Sequence, residues 1–274
     1  MSQFFDCDDP GQRAAGFAAA KAAIEAKQCV VMPTDTVYGI SADAFSPKAV
    51  ATLLAAKGRG RNMPPPVLIP QPGTMQGLAR DIPEAVHRVV EELWPGPLTV
   101  ILHAQPSLTW DLGETKGTVA LRVPDDALAL ELLAETGPLA VSSANRSGQP
   151  AATTAADAQE MLLESVEVYL EDGSRPLTAD PFGTEALPST IVDYTSEVPT
   201  VVRLGAVSLE QLQELDPAIR MPQSSEESDN DSEADAADDE TTAVEATAVD
   251  NPAVETTASA STATEGQEST PSAS

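Results

Sequence analysis

Short apolar runs alternate with helix-period segments along the first four fifths of the chain. Cys29-Val30-Val31-Met32 is a compact apolar run stopped by Pro33, which predicts a buried strand. Residues 67–69, 98–102, 118–123 and 139–141 read the same way, as do the late runs 166–170, 190–192 and 200–204. Between them, Asp9 and Pro10 open a helix that carries Phe17, Ala20 and Ile24 on one face. Residues 47–57 are helical in pattern. Pro83 opens another helix, with Val86, Val89, Val90 and Leu93 at helical spacing, and a further helix is expected over 126–134. Thr154 with Asp157, and Ser208 with Gln211, form capping boxes that start the last two helices. Strands and helices are interleaved without a regular βαβ spacing. The expected fold class is therefore α/β, an open, twisted, mixed sheet flanked by helices. No internal repeat is visible, and Pro64-Pro65-Pro66 requires an extended loop.

The pattern stops near Arg220. From 224 onward the chain is Ser, Thr, Ala, Glu and Asp, with a few scattered valines, no aromatic residue and no Lys or Arg. Such a segment buries too little apolar area to offset chain entropy. One domain over 1–220 and a disordered acidic tail over 221–274 are expected. The net charge of −28 divides accordingly: all 15 basic residues and 29 of the 43 acids precede residue 221. An acidic domain argues against broad duplex binding but leaves room for a local basic cleft. Cys7 and Cys29 are too few for a disulfide framework. The start, Met1-Ser2-Gln3-Phe4-Phe5-Asp6, has no signal-peptide character, and no run reaches transmembrane length. A cytoplasmic protein with no membrane partner is expected.

Several polar motifs stand at the ends of the apolar runs. Lys57-Gly58-Arg59, with Arg61 close behind, reads either as a solvated basic helix end or as a phosphate clamp. Ser143-Ala144-Asn145 reads either as a turn closing a strand or as an extended tripeptide with both polar side chains facing a ligand. Thr34-Asp35-Thr36 is a turn or a substrate-binding loop. Trp94-Pro95-Gly96-Pro97 reads as a structural turn with the indole packed beneath it. There is no Walker A loop, no Gly-x-Ser-x-Gly elbow and no Cys/His cluster, so no protein-bound metal site is evident. His87 lies in an amphipathic helix and reads as a surface or packing residue.

Taken in order, these motifs resemble those of the threonylcarbamoyl-AMP synthase (YrdC-like) family. The resemblance rests on Pro33-Thr34-Asp35-Thr36-Val37-Tyr38-Gly39, Lys57-Gly58-Arg59, Trp94-Pro95-Gly96-Pro97-Leu98-Thr99, Val119-Ala120-Leu121-Arg122-Val123-Pro124, Ser143-Ala144-Asn145, Ser189-Thr190-Ile191-Val192-Asp193 and Arg203-Leu204-Gly205-Ala206. It implies a nucleotidyltransferase that makes threonylcarbamoyl-AMP and pyrophosphate from L-threonine, bicarbonate and ATP, with Mg2+ accompanying the nucleotide. The product serves a tRNA-modifying transferase complex that acts beside the anticodon, so contact with tRNA is indirect or weak. By the same resemblance Thr36, Arg122, Ser143 and Ser189 surround threonine. Arg59, Thr118, Asn145, Thr153 and Arg203 contact ATP, and Lys57, Arg59, Ser143 and Asn145 form the catalytic set. Arg122 suits a carboxylate, bidentate where geometry allows.

The chain departs from the family where Gly60 replaces a usual Pro, and where Met63-Pro64-Pro65-Pro66 replaces an Asn- or Lys-Pro-Leu. The second, C-terminal domain of longer members is not expected here. Two rival readings are a YrdC-like module that binds RNA without catalysis, and carbamoyl-adenylate chemistry of the hydrogenase-maturation type. The acidic balance opposes the first; the lack of acylphosphatase and zinc-finger segments opposes the second. Removing the residues after Arg220 is expected to leave turnover within about twofold, and a loss on the order of tenfold would show that the tail takes part. Lys57→Ala and Arg59→Ala are both expected to keep the fold and lose most turnover.

Overall fold

The computed structural model describes residues 2–176 and 187–222. The expected acidic tail lies outside the described residues from 223 onward. In chain order the elements are β1 (Gln3–Asp6), α1 (Pro10–Glu25), β2 (Val30–Met32), β3 (Gly39–Asp43), α2 (Pro47–Lys57), β4 (Val67–Leu68), α3 (Met75–Leu78), β5 (Ala79–Arg80), α4 (Glu84–Leu93), β6 (Leu98–Ala104), β7 (Thr118–Arg122), α5 (Ala127–Thr136), β8 (Leu139–Ser143), α6 (Ala155–Leu162), β9 (Val168–Glu171), β10 (Thr190–Asp193), β11 (Thr200–Arg203) and α7 (Leu209–Leu215).

The helices begin where the cap signals place them. Asp9 accepts hydrogen bonds from the Gly11 and Gln12 amides above Pro10, and Ser46 accepts from the Ala49 amide above Pro47. α2 stops because Gly58 takes a left-handed conformation, φ 65°, which a side chain would resist. Asp126 caps α5, and both expected capping boxes are present, on α6 and α7.

The strands form one mixed sheet in the order β1-β9-β2-β3-β8-β4-β7-β6-β10-β11, with β5 paired beside β6. Parallel pairs such as β4–β7 and β6–β10 alternate with antiparallel ones such as β3–β8 and β6–β7. The mixed order follows from connections too irregular for repeated βαβ crossovers, as the pattern of the sequence predicts.

Layering on the two faces of the sheet fixes the position of the site. On one face α1 and α5 pack Phe17, Ile24, Leu128 and Leu132 against Val30, Leu139, Val141, Val168 and Leu170. On the other, α2 and α6 pack on β2 and β3, while α4 and α7 pack on β6, β7 and β10. Alternation along β7 sends Val119 and Leu121 into the α4 side, and Thr118, Ala120 and Arg122 to the opposite face. There Ala120, Ile101 and Ile191 are left half-buried. This uncovered stretch of the α1/α5 face forms the floor beside the site.

Gly205 holds the last strand against the loop before β10. A Cβ at this position would lie 2.0 Å from the Pro188 carbonyl oxygen and 2.7 Å from the Ser189 carbonyl carbon. Both obstacles are backbone and cannot swing away. Gly205→Ala is therefore expected to cost about 1–3 kcal/mol of stability by overpacking, and to displace Ser189 with it. Urea denaturation checks this; unchanged stability would mean that the loop yields freely.

Candidate active site

A pocket of about 510 Å³ opens where β7 and β8 end and β6 and β10 begin, walled by the Thr34–Gly39 loop. Six of the residues singled out from the sequence line it: Thr36, Arg59, Arg122, Ser143, Ser189 and Arg203. They converge from distant segments because Thr36, Arg122, Ser143, Ser189 and Arg203 stand at or beside strand ends on one side of the sheet, and Arg59 follows the end of α2 beside them.

Arg122 is buried at the end of β7 and is almost fully committed within the protein. Its Nε donates to the Gly96 carbonyl at 3.0 Å. Both terminal nitrogens donate to Thr36 Oγ1 at 3.2 Å, and one also donates to Asp35 Oδ1 at 2.5 Å. A guanidinium has five N–H groups, so one remains for a ligand, and the bidentate grip considered from the sequence is not open in this arrangement. Burial lowers the pKa of this guanidinium, and the adjacent Asp35 carboxylate opposes that shift.

The Thr36 hydroxyl is equally constrained. Thr34 Oγ1 donates to the Val37 carbonyl at 2.6 Å, so in the 3.1 Å contact between the two hydroxyls Thr36 must be the donor. Its oxygen then accepts from Arg122. Thr36 thus presents an oriented hydroxyl whose proton is already spent, which makes it part of the frame around Arg122.

Arg203 and Arg59 are different. Arg203 donates from Nε and a terminal nitrogen to the Ser189 carbonyl, at 3.1 and 2.8 Å, and to Ser189 Oγ at 3.1 Å. Arg59 donates to Ser147 Oγ at 3.1 Å and to Ser142 Oγ at 3.0 Å. Neither has a carboxylate partner among the described residues. Burial lowers the pKa of both, and in Arg203 the cations of Arg122 and Arg59 add to the effect. Arginine stays charged regardless. The outcome is a pair of cations with spare donors facing the same cavity, a setting that favours a polyanion.

Lys57 and Asn145 do not line the pocket. Lys57 is 1% exposed, and its ammonium donates to the Ser143 carbonyl, to the Asn145 carbonyl at 2.7 Å and to Asn145 Oδ1 at 3.0 Å. Asn145 Oδ1 also accepts from Ser143 Oγ at 2.6 Å, while Nδ2 donates to the Arg146 and Gln149 carbonyls. The Ser143–Asn145 segment is bent, since the Asn145 amide donates to the Ser143 carbonyl at 2.9 Å. Lys57 is the post around which this bend is wrapped. Its acceptors favour the ammonium, but burial, followed by the Arg59 cation, outweighs them and lowers the pKa to about 7.

Two other residues from the sequence reading stand apart. Thr118 is at the start of β7, on the same face as Arg122 but four residues away, roughly 13 Å along the strand. Its hydroxyl donates to the Thr115 carbonyl at 2.8 Å. Thr153 contacts Asp157 Oδ2 at 3.2 Å, two residues from the pocket-lining Ala151. Conversely, Asp35, Thr99, Ser142 and Ser147 shape the site although no role was assigned to them from the sequence. Ser142 and Ser147 flank the Ser143–Asn145 motif, which was the one signal that could have found them. Trp94 is buried and donates from Nε1 to the Leu98 carbonyl at 2.7 Å, the structural role expected of that turn. Among the described residues no helix is long and apolar enough to cross a membrane.

Relatives of known name share this arrangement of chain. The family model for Sua5, YciO and YrdC proteins, described as Telomere recombination, matches residues 22–205. A Mycobacterium leprae (strain TN) protein provisionally named a threonylcarbamoyl-AMP synthase is 49% identical over 215 residues, which are 78% of this chain and 94% of that one. The threonylcarbamoyl-AMP synthase of Bacillus subtilis (strain 168) is 33% identical over 198 residues, 72% of this chain and 55% of its own length. Among solved structures, Pyrococcus abyssi Sua5 complexed with L-threonine matches with a TM-score of 0.71 at 28% identity, covering 81% of this chain and 62% of that one. Since the matched span 22–205 contains the whole pocket, the chain belongs to the Sua5/YciO/YrdC family.

Proposed function

We propose that the protein is an L-threonylcarbamoyladenylate synthase, a nucleotidyltransferase that converts L-threonine, bicarbonate and ATP into threonylcarbamoyl-AMP and pyrophosphate. One observation carries the reading: a single pocket joins a carboxylate-compatible arginine framed by hydroxyls to two arginines that have no counter-ion among the described residues. The first half suits an amino acid and the second a triphosphate. The names of the M. leprae and B. subtilis relatives, and the threonine held by P. abyssi Sua5, point the same way.

In this reading the threonine ammonium first gives up a proton to solvent; the free amine then attacks the carbon of bicarbonate, and water leaves as the carbamate forms. A carbamate oxygen then attacks the α-phosphorus, the bond to the bridging oxygen breaks, and pyrophosphate departs with both electrons of that bond. The remaining N–H of Arg122 and the hydroxyls of Ser143 and Ser189 hold threonine. Arg59 and Arg203 take the phosphates, offsetting the repulsion between carbamate and triphosphate and the charge gathering on pyrophosphate. The described residues that line the pocket include no carboxylate, histidine, cysteine or lysine to carry a proton at the reacting atoms, so positioning and electrostatics do the work. Lys57 and Asn145 act by holding Ser143 and the Arg59 partners in place. Thr118 and Thr153 belong to the outer reach of the nucleotide along the sheet face.

Mg2+ would accompany ATP and offset the charge of its phosphates. The described residues that line the pocket include no carboxylate to hold it, and no cluster of three metal-ligating acids, histidines or cysteines occurs among the described residues. The product would pass to a transferase complex that modifies tRNA. Mass spectrometry of a reaction containing ATP, L-threonine and bicarbonate tests the reading: the adenylate should appear only with all three present, and its absence from a folded sample would overturn it.

A further inference from the structure

We propose that Asp35 is a positioning and specificity residue that divides the pocket electrically, making the Arg122 end charge-balanced so that phosphates are received only at the Arg59–Arg203 end. The inference rests on the proposed function and adds a role for a side chain that no part of that reading uses.

Three guanidiniums approach one cavity. Two of them, Arg59 and Arg203, donate only to serine oxygens and keep their full charge for a ligand. Arg122 alone has a carboxylate partner among the described residues, at 2.5 Å, with side chains only 7% and 11% exposed. Asp35 does not line the pocket. It stands behind Arg122, and the same Oδ1 also accepts the Asp125 amide at 3.1 Å, which anchors the carboxylate to the turn after β7. Asp35 therefore cannot follow a ligand into the cavity. Its action is on Arg122, whose charge it offsets and whose plane it fixes together with Gly96 and Thr36.

The consequence is a difference between two ends of one pocket. An amino-acid zwitterion carries no net charge and is served by one directed N–H and several hydroxyls. A triphosphate carries several negative charges and is served by unbalanced cations. Without Asp35, Arg122 would become a third free cation in the cavity. Inorganic anions and the triphosphate itself would then occupy the threonine end. A buried arginine with no counter-ion carries an uncompensated charge that any anion can offset, whereas a balanced one gains little from a ligand's net charge and depends more on its geometry.

Asp35→Asn tests this cleanly, because the amide oxygen preserves the acceptor for Arg122 and for the Asp125 amide while removing the charge. Calorimetry measures L-threonine binding with and without saturating inorganic tripolyphosphate. In the native protein the two should bind independently, within about twofold; in Asp35→Asn tripolyphosphate should weaken threonine binding at least about tenfold. In turnover, the threonine KM should rise by about tenfold or more while kcat stays within about threefold, and Asp35→Glu should recover part of the loss. A folded Asp35→Asn protein with native threonine KM and no competition would overturn the proposal. So would competition already present in the native protein, a result that decides the matter even if the variant fails to fold. A native protein that binds no L-threonine at all would instead overturn the proposed function.

Discussion

Lys57→Met should lower both stability and turnover. The side chain fills similar space but leaves the Ser143 carbonyl, the Asn145 carbonyl and Asn145 Oδ1 without their common donor. The Asn145 carbonyl is then orphaned, at about 1–3 kcal/mol, while the Ser143 carbonyl keeps the Asn145 amide and Asn145 Oδ1 keeps the Ser143 hydroxyl; a net loss of about 2 kcal/mol is expected. For a domain of this size that corresponds to a drop of roughly 4–8 °C in melting temperature. Turnover should fall about a hundredfold or more, because Ser143 and the serine partners of Arg59 lose their fixed positions. The expectation from sequence, that a Lys57 variant keeps its fold intact, is revised by the burial of this residue.

The same residue predicts a pH signature. Its pKa is about 7 in the folded protein against 10.5 for an unperturbed lysine. Between those values the unfolded chain binds a proton that the folded one has released, so this residue's contribution to stability rises with pH across the window. Below pH 7 lysine is charged in both states and contributes no slope. Urea denaturation at pH 7 and pH 9.5 should show a smaller gain for Lys57→Met than for the native protein. Equal gains would mean that Lys57 is not depressed.

Arg59→Ala should behave in the opposite way. Its hydrogen bonds end on Ser142 and Ser147 hydroxyls, which can turn to water when the guanidinium is removed. Stability should change by less than about 0.5 kcal/mol. The ATP specificity constant should fall about a hundredfold, the equivalent of one or two charge-assisted hydrogen bonds to phosphate. Threonine binding alone should be nearly unaffected. A folded Arg59→Ala protein with native ATP kinetics would remove Arg59 from the phosphate end and leave Arg203 to account for it. The two variants together separate a post that holds the loop from a cation that meets the ligand.

Much of this architecture was legible in the chain. The bounds expected for α2 coincide with those observed, because Ser46 and Pro47 mark its start and Gly58 its stop. The strands that carry Arg122 and Ser143 announce themselves as apolar runs ending in polar residues. β3 does not: Gly39-Ile40-Ser41-Ala42-Asp43 has little intrinsic strand preference, and it is a strand because β2 and β8 pair with it on either side. β1 is a short, mostly exposed edge strand that only its partner β9 reveals.

At the site, the residue types were readable but their division of labour was not. Lys57 and Arg59 look alike in sequence, two residues apart at a helix end. Helix geometry turns one toward the Asn145 bend and the other toward the cavity, a distinction that depends on orientation across 88 residues of intervening chain. Asp35 read only as part of a turn or substrate-binding loop, because its partner, Arg122, is 87 residues away.

The central claim is that one pocket joins an amino acid to a nucleotide through bicarbonate. Pyrophosphate release from ATP, measured with and without L-threonine and bicarbonate, tests it most directly. Release that requires both cosubstrates, and that stops when either is withheld, is the expected result. A folded protein that releases no pyrophosphate with all three present, or releases it equally without threonine, would contradict the account.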